Sequence, residues 1–270
     1  MELRSWVARS GLILVSSVVP PAAAQEPELV TDRPDQTESS ETVPPGRIQI
    51  EAGWTYASNS ADPEVAVHEL PGTLLRIGLL ERLELRAGWS GWMLEDTTMA
   101  AGRSEGRTGS SDAELGAKFR LLSERGVRPQ SALLLSTSLP TGSDEITSER
   151  ADPELRLSCS HTLSDSTGLG YNLGVAWGSE PRTGGGSVTR SSYFYTLALG
   201  RSLTERLGTF LELFGEIPAS APGGPVHAWD GGFTYLLRDH LQLDVSAGVG
   251  LSAAADRWFT GAGISLRLPR

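Results

Sequence analysis

The stretch LRDHLQLDVSAGV, residues 237–249, decides the fold. A polar turn, Arg238-Asp239-His240, is followed by strict alternation. Leu241, Leu243, Val245, Ala247 and Val249 fall on one side, and Gln242, Asp244, Ser246 and Gly248 on the other. A repeat of two is the periodicity of a β-strand whose side chains point alternately to opposite faces of a sheet. The same turn-then-alternation recurs after LLERL at 79–83, LSDST at 163–167 and LTERL at 203–207. After the first of these, Leu83, Leu85, Ala87 and Trp89 alternate with Glu84, Arg86, Gly88 and Ser90. An apolar face repeated on hairpin after hairpin needs either a second sheet to cover it or a bilayer to face. In the second case the polar faces line a lumen.

Working outward, twelve strands are predicted at 46–57, 65–79, 83–95, 110–122, 129–139, 152–163, 167–178, 189–203, 206–217, 226–237, 240–252 and 256–268. The connections alternate in length. Those at 80–82, 123–128, 164–166, 204–205 and 238–239 are short. Those at 58–64, 96–109, 140–151, 179–188 and 218–225 are mostly longer and rich in Gly, Ser, Thr, Pro and Asp, with 253–255 an exception. Long strands in even number, joined by short and long connections in turn, describe an outer-membrane barrel with periplasmic turns and external loops. A tilted membrane strand needs about 9–11 residues, against about 5–6 for an average soluble strand. The expectation is an all-β, antiparallel transmembrane β-barrel of about twelve strands with both termini periplasmic. Aromatic residues near strand ends (Trp54, Tyr56, Trp89, Trp92, Trp177, Tyr193, Tyr195, Trp229, Tyr235, Trp258 and Phe259) read as girdles at the two interfaces, or as ordinary β-core aromatics.

Three stretches divide the chain. Residues 1–24 read as a secretory signal peptide, with Arg4 and Arg9, an apolar run from Gly11 to Val19 and small residues at Ala22–Ala24. Residues 25–45 form an irregular acidic segment whose Pro27, Pro34, Pro44 and Pro45 forbid a central strand. Residues 46–270 are the barrel. Removing Glu2, Arg4 and Arg9 with the leader takes the formal charge from −10 to −11. Such an acidic chain is a poor partner for nucleic acid, whose phosphates call for clustered cations. Cys159 is the only cysteine, so neither a disulfide nor a thiolate metal cluster is available.

TDRPDQTES at 31–39, TVPPGRIQIEAGW at 42–54, HELPGTLLRIGLLERLELRAGW at 68–89, SLPTGSD at 138–144 and LDVSAGVGLSAAADRWFTGAGISLR at 243–267 together resemble a family named for a meta-pathway of phenol degradation. The resemblance spans nearly the whole mature chain, and the opening motif of Thr31, Asp32, Arg33, Pro34, Asp35, Thr37, Glu38 and Ser39 is its most specific element. It implies an outer-membrane transporter for small organic, potentially aromatic, solutes, with outer-membrane lipid and the barrel-assembly machinery as partners. The chain ends Leu266-Arg267-Leu268-Pro269-Arg270, without the terminal aromatic such barrels usually present to that machinery, so Leu268 would stand in its place.

The polar strand faces yield candidate lumen residues: Glu51, Arg76, Glu84, Arg86, Glu114, Lys118, Arg120, Glu154, Arg156, Glu212, Glu216, Asp230, Asp244, Arg257 and Arg267. They form either a lattice of internal salt bridges or a charged, solute-selecting pore, and the two are compatible. The acids of segment 31–45 are expected to meet Arg86, Arg120, Arg156 or Arg267, docking the segment at the periplasmic mouth or in the lumen; a solvated tether is the alternative. Catalysis finds little footing. His68, His161, His227 and His240 are the only histidines, none within a nucleophile motif, and none forms a pair at metal-ligand spacing. The acidic loop at 141–154 is solvated or a loose calcium binder. No cofactor is implied. The function expected is passive passage of small solutes, with a blocked structural or adhesin-like barrel, or a lipid-modifying enzyme, as rivals.

Overall fold

A computed structural model of the protein describes residues 27–59, 63–99, 102–181, 187–219 and 224–269; the leader expected over residues 1–24 lies outside the described residues. Among those described there is no helix. The strands are β1 (Ile48–Ser58), β2 (Glu64–Leu80), β3 (Leu83–Trp89), β4 (Trp92–Thr98), β5 (Ser104–Ser110), β6 (Ala113–Leu122), β7 (Gln130–Leu139), β8 (Asp152–Ser164), β9 (Thr167–Pro181), β10 (Ser187–Ser202), β11 (Leu207–Pro218), β12 (Val226–Arg238), β13 (Leu241–Gly250) and β14 (Trp258–Leu268). Neighbours are antiparallel throughout, and β1 pairs with both β2 and β14, which closes the sheet.

Two staves of the barrel are each made of two strands. β3 and β4 both pair with β2, the former along its residues 73–80 and the latter along 64–70. Between them Gly91 has φ +96°, and a Cβ there would run into the backbone of Leu70 and Pro71, so the kink requires glycine. β5 and β6 are the two halves of the next stave, against β4 and β3. Counted as staves, these strands make a closed, twelve-stranded transmembrane barrel.

One expectation is corrected. Residues 96–109 were predicted as a loop, whereas β4 and β5 continue the barrel wall as a polar hairpin that reaches Thr98 and resumes at Ser104. The hairpin carries no apolar alternation because its cross-strand pairs are hydrophilic: Arg107 donates to Glu95 at 2.8 Å, and Thr98 meets Ser104. Loop 140–151 folds against this hairpin. Ser143 donates its backbone N–H to the Ser110 carbonyl, and Asp112 accepts from the backbone of Thr141, Gly142 and Ser148. Those backbone donors outweigh burial and hold the Asp112 carboxyl below its usual range.

The alternation sorts side chains as the fold requires. In β13, Leu243, Val245 and Val249 face outward with 41, 52 and 51 % of their surface exposed, while Gln242, Asp244 and Gly248 are buried. The outer surface differs between its ends. Trp92, Trp177, Tyr193, Trp229 and Trp258 are exposed toward the long connections. The short-turn end instead presents Leu79, Leu80, Leu121, Leu122, Leu163, Leu203 and Leu237. The expected pair of aromatic girdles is thus one aromatic rim and, at the short-turn end, a rim mainly of leucines that Tyr235 joins. Phe259 belongs to neither, because it occupies an inward-facing position of β14.

Candidate functional site: a charged lumen occupied by the N-terminal segment

Residues 27–46 precede β1 and run through the inside of the barrel, where polar interior side chains bind them along their length. At the short-turn end Arg267 donates to the carbonyls of Pro27 and Glu28, and its Nε donates to Gln49. Gln49 and Arg76 both donate to the Val30 carbonyl. The Glu51 carboxylate accepts the backbone N–H groups of Asp32 and Arg33 at 3.0 Å and is held by Arg76 at 2.9 Å. On the far wall Glu212 accepts from the backbone N–H of Gln36 at 2.7 Å and from the Thr37 hydroxyl. Asn172 makes two bonds to Glu38, accepting its N–H and donating to its carbonyl, which also accepts from Ser158. The returning chain is fixed by Glu84, which accepts the Val43 N–H at 2.8 Å.

Asp32 is the centre of this arrangement. Its carboxylate lies 3.1 Å from Arg76, 2.7 Å from Arg86 and 2.9 Å from Lys118, all three nearly sealed from solvent. Glu84 and Glu38 complete the cluster through Arg76 and Arg86. Burial opposes ionisation of Asp32, but Arg76, Lys118 and Arg86 together hold its carboxyl well below the usual range. Glu38 goes the other way. Burial, only partly offset by Arg86 and aided by the nearby Asp32, raises it to about 7. Asp35 is pushed well up by burial and by the facing carboxylates of Glu212 and Asp230.

Arg33 lies flat across the seam where the barrel closes. Gly53 of β1 and Gly263 of β14 are register partners, and a Cβ on either would overlap the Arg33 guanidinium. Beyond them Arg33 reaches Asp244 at 3.2 Å. Two hydrogen-bearing side chains of ordinary size would not leave room for this path, so the glycine pair is what admits the arginine.

The candidate residues thus fall into three groups. Glu51, Arg76, Glu84, Arg86, Lys118, Glu212, Asp230, Asp244 and Arg267 are buried on the inner face. Glu114, Arg120, Glu154 and Arg156 are half-buried there; Arg156 pairs with Glu154 at 2.9 Å and stacks over Phe194. Arg257 does not belong. It precedes β14 in the Leu251–Arg257 connection and is exposed, because the strand begins at Trp258, two residues later than its alternation predicts. Glu216, at the outer end of β11, is also exposed. Of the four arginines expected to meet the segment's acids, Arg86 meets Asp32 and Glu38, and Arg120 approaches Glu41 at 3.6 Å. Arg156 and Arg267 donate to backbone carbonyls of the segment. Reading charges alone passed over Gln49, Asn172, Ser158 and Gln242, although their inward position in the alternation was the signal to find them.

The segment divides the lumen. A cavity of about 1030 Å³ lies on the long-loop side and one of about 490 Å³ on the short-turn side. Arg33, Pro34, Asp35 and Glu38 line both, and so form the partition between them. Three of the four histidines are engaged elsewhere: His68 accepts from Trp54, His227 meets the Tyr195 hydroxyl, and His161 lies 3.4 Å from the Tyr171 hydroxyl.

Comparison with known structures agrees with this architecture. An outer membrane channel from Pseudomonas putida F1 superposes with a TM-score of 0.67 at 14 % identity, over 85 % of this chain and 98 % of that one. The NanC porin gives 0.53 at 6 % identity, over 81 and 98 %. The transport unit of the autotransporter AIDA-I from Escherichia coli gives 0.52 at 6 % identity, over 82 and 89 %. At such identities the likeness establishes the outer-membrane barrel fold. Among curated proteins there is no match. The model of the family described as "Putative MetA-pathway of phenol degradation" matches residues 31–268, and the chain belongs to that family.

Proposed function

We propose that the protein is an outer-membrane channel that passes small solutes down their gradient, aromatic or other small organic compounds among them. The observation that carries this is the pair of cavities, about 1030 and 490 Å³, separated by the single thickness of residues 33–38. A barrel kept only as a wall anchor has no need of interior space on both sides of so thin a partition. Membership of the phenol-degradation family and the fold shared with the Pseudomonas putida channel support the reading. In it, residues 1–24 are the export leader, residues 25–45 the lumen segment and residues 46–270 the barrel. The barrel-assembly machinery inserts the chain into the outer membrane, and the inner polar residues line the route. No step of chemistry is assigned to the protein; His68, His227 and His161 bond to Trp54, Tyr195 and Tyr171 rather than to a nucleophile, and His240 lies in a short turn.

The rival is a structural barrel whose segment seals it, favoured by the many bonds that Asp32 and Glu38 make. Liposome swelling separates the two. Vesicles carrying the full-length protein should swell in small neutral and aromatic solutes at rates that fall with solute size. No swelling, together with no single-channel events in planar bilayers, refutes the channel and leaves the sealed barrel.

A further inference from the structure

Glu212, which holds Gln36 and Thr37 of the segment, has a phenylalanine two residues away on either side along the inner face of β11. Phe214 lines the outer cavity and Phe210 the inner one. The two rings therefore stand on opposite sides of the partition, about 13 Å apart along the strand at a rise of about 3.3 Å per residue. Pro34, the apolar member of the partition, lines both cavities. Lumen positions of such barrels are ordinarily polar, whereas these two rings keep part of their surface open.

Small residues make room for the rings. Phe259 of β14 lies over its register partner Gly248, filling the place a Cβ there would take, and meets Phe214 edge-on with ring centroids 5.8 Å apart. Ala228 of β12 is the register partner of Phe214, so the two rings form an apolar corner of the outer cavity over a floor of small side chains. Beyond the partition Phe210 has a glycine on each side, Gly200 of β10 and Gly232 of β12. Its ring leans over Gly232, coming within 2.7 Å of where a Cβ would stand. On the other side, nothing among the described residues lies within 4 Å of a Cβ built on Gly200. That leaves an open slot beside the ring, in the wall of the inner cavity. Phe194 is the contrast: Arg156 covers its face at 4.6 Å, and it lines neither cavity. A ring in either apolar corner can meet another ring offset or edge-on, which is worth more than the area it covers. A charged group there would lose water without gaining a partner.

We propose that Phe259 and Phe214 on the outer side of the partition, and Phe210 with the Gly200 slot on the inner side, are successive binding stations for uncharged aromatic solutes. A solute leaves the first station past Pro34 and is received at the second. The inference rests on the channel reading and names the part of the wall that selects among its solutes.

Benzamide and cyclohexanecarboxamide, which share an uncharged amide and nearly a size but differ in the ring, test it. Each is titrated against the ion current of the full-length protein in planar bilayers, and the concentration that halves the current is read. Benzamide should need about two- to tenfold less than cyclohexanecarboxamide, the worth of one ring-on-ring contact. Phe214→Leu, Phe259→Leu and Phe210→Leu should each bring the ratio of the two concentrations toward one, and Phe194→Leu should leave it as in wild type. Gly200→Leu, which fills the slot, should raise the concentration needed of both compounds. The heat-dependent gel mobility of the barrel checks that each variant is folded. A wild-type ratio of one, track variants that keep the wild-type ratio, a Phe194→Leu variant that loses it, or a Gly200→Leu variant blocked like wild type would each overturn the stations. An ion current that neither compound reduces refutes the stations alone. Absence of any current refutes the channel reading, and the stations with it.

Discussion

Asp32→Asn tests whether the segment is held in the lumen by charge. The substitution keeps the size of the side chain but removes the one carboxylate that faces Arg76, Arg86 and Lys118 together, at 3.1, 2.7 and 2.9 Å. Arg76 retains Glu51 and Glu84, and Arg86 retains Glu84 and Glu38. Lys118 is the most exposed to the loss, because its remaining partner is Glu38 at 3.6 Å. Removing one partner of a buried ion pair costs about 3–5 kcal/mol, since the other charge stays buried without compensation. That cost falls on the docked state, because the undocked segment is in water. It amounts to about two to four orders of magnitude in the docking equilibrium, at roughly 1.4 kcal/mol per factor of ten. The assay is single-channel conductance alongside thermal unfolding in detergent. Asp32→Asn should raise the open conductance or give frequent transitions to a larger level, and lower the unfolding midpoint. Deletion of residues 27–43 should give the same large level permanently. If Asp32→Asn conducts and melts like wild type, the cluster does not hold the segment, and the reasoning from buried charge is wrong.

Three further outcomes are expected. Val245→Arg places a charge on the outward face of β13, at a cost of about 2–4 kcal/mol near the bilayer midplane, so it should impair folding into vesicles far more than Ser246→Arg; equal yields would refute the register. Gly263→Ala should displace Arg33 from the seam and lower thermal stability as Arg33→Ala does, and the two changes combined should cost no more than either alone; additive losses would show that they act separately. Docking of the segment should weaken as pH rises, because Asp35 is raised when docked and Glu38 is raised from 4.5 to about 7. The docked state binds more protons, so its advantage is full below pH ~4.5 and declines through about 7. Protease sensitivity of the segment should therefore be greater at pH 8 than at pH 5, with Asp35→Asn reducing the difference; a flat profile would refute it.

The barrel was legible because lipid enforces alternation. Each outward position must be apolar over a whole strand, so the pattern in β13 or β3 leaves one register only. Where the wall rises above the bilayer that constraint ends, and the β4–β5 hairpin, built on Glu95 and Arg107, reads like any polar loop. Arg257 failed for a related reason: alternation does not mark where a strand starts, and errors of a residue or more are usual at boundaries. Within the lumen the charges were visible as types, but their pairing was not. Asp32 contacts residues 44, 54 and 86 positions away in Arg76, Arg86 and Lys118, and only the closed barrel brings those strands to one point. The glycine seam carries no signal of its own, since Gly53 and Gly263 gain meaning only when Arg33 is seen to lie across them.

That seam bears on how the molecule is completed. β1 and β14 begin and end the barrel, and Ile48 finds Leu268 only after every intervening hairpin has formed. Contacts so distant along the chain close last, because the entropy of the intervening loop must first be lost. Arg33 requires the Gly53 and Gly263 backbones side by side, with Asp244 of the neighbouring strand beyond them. A barrel one hairpin short has no such surface. The arginine therefore works as a latch that only the finished ring can engage, and an open sheet would leave the segment loose and detectable.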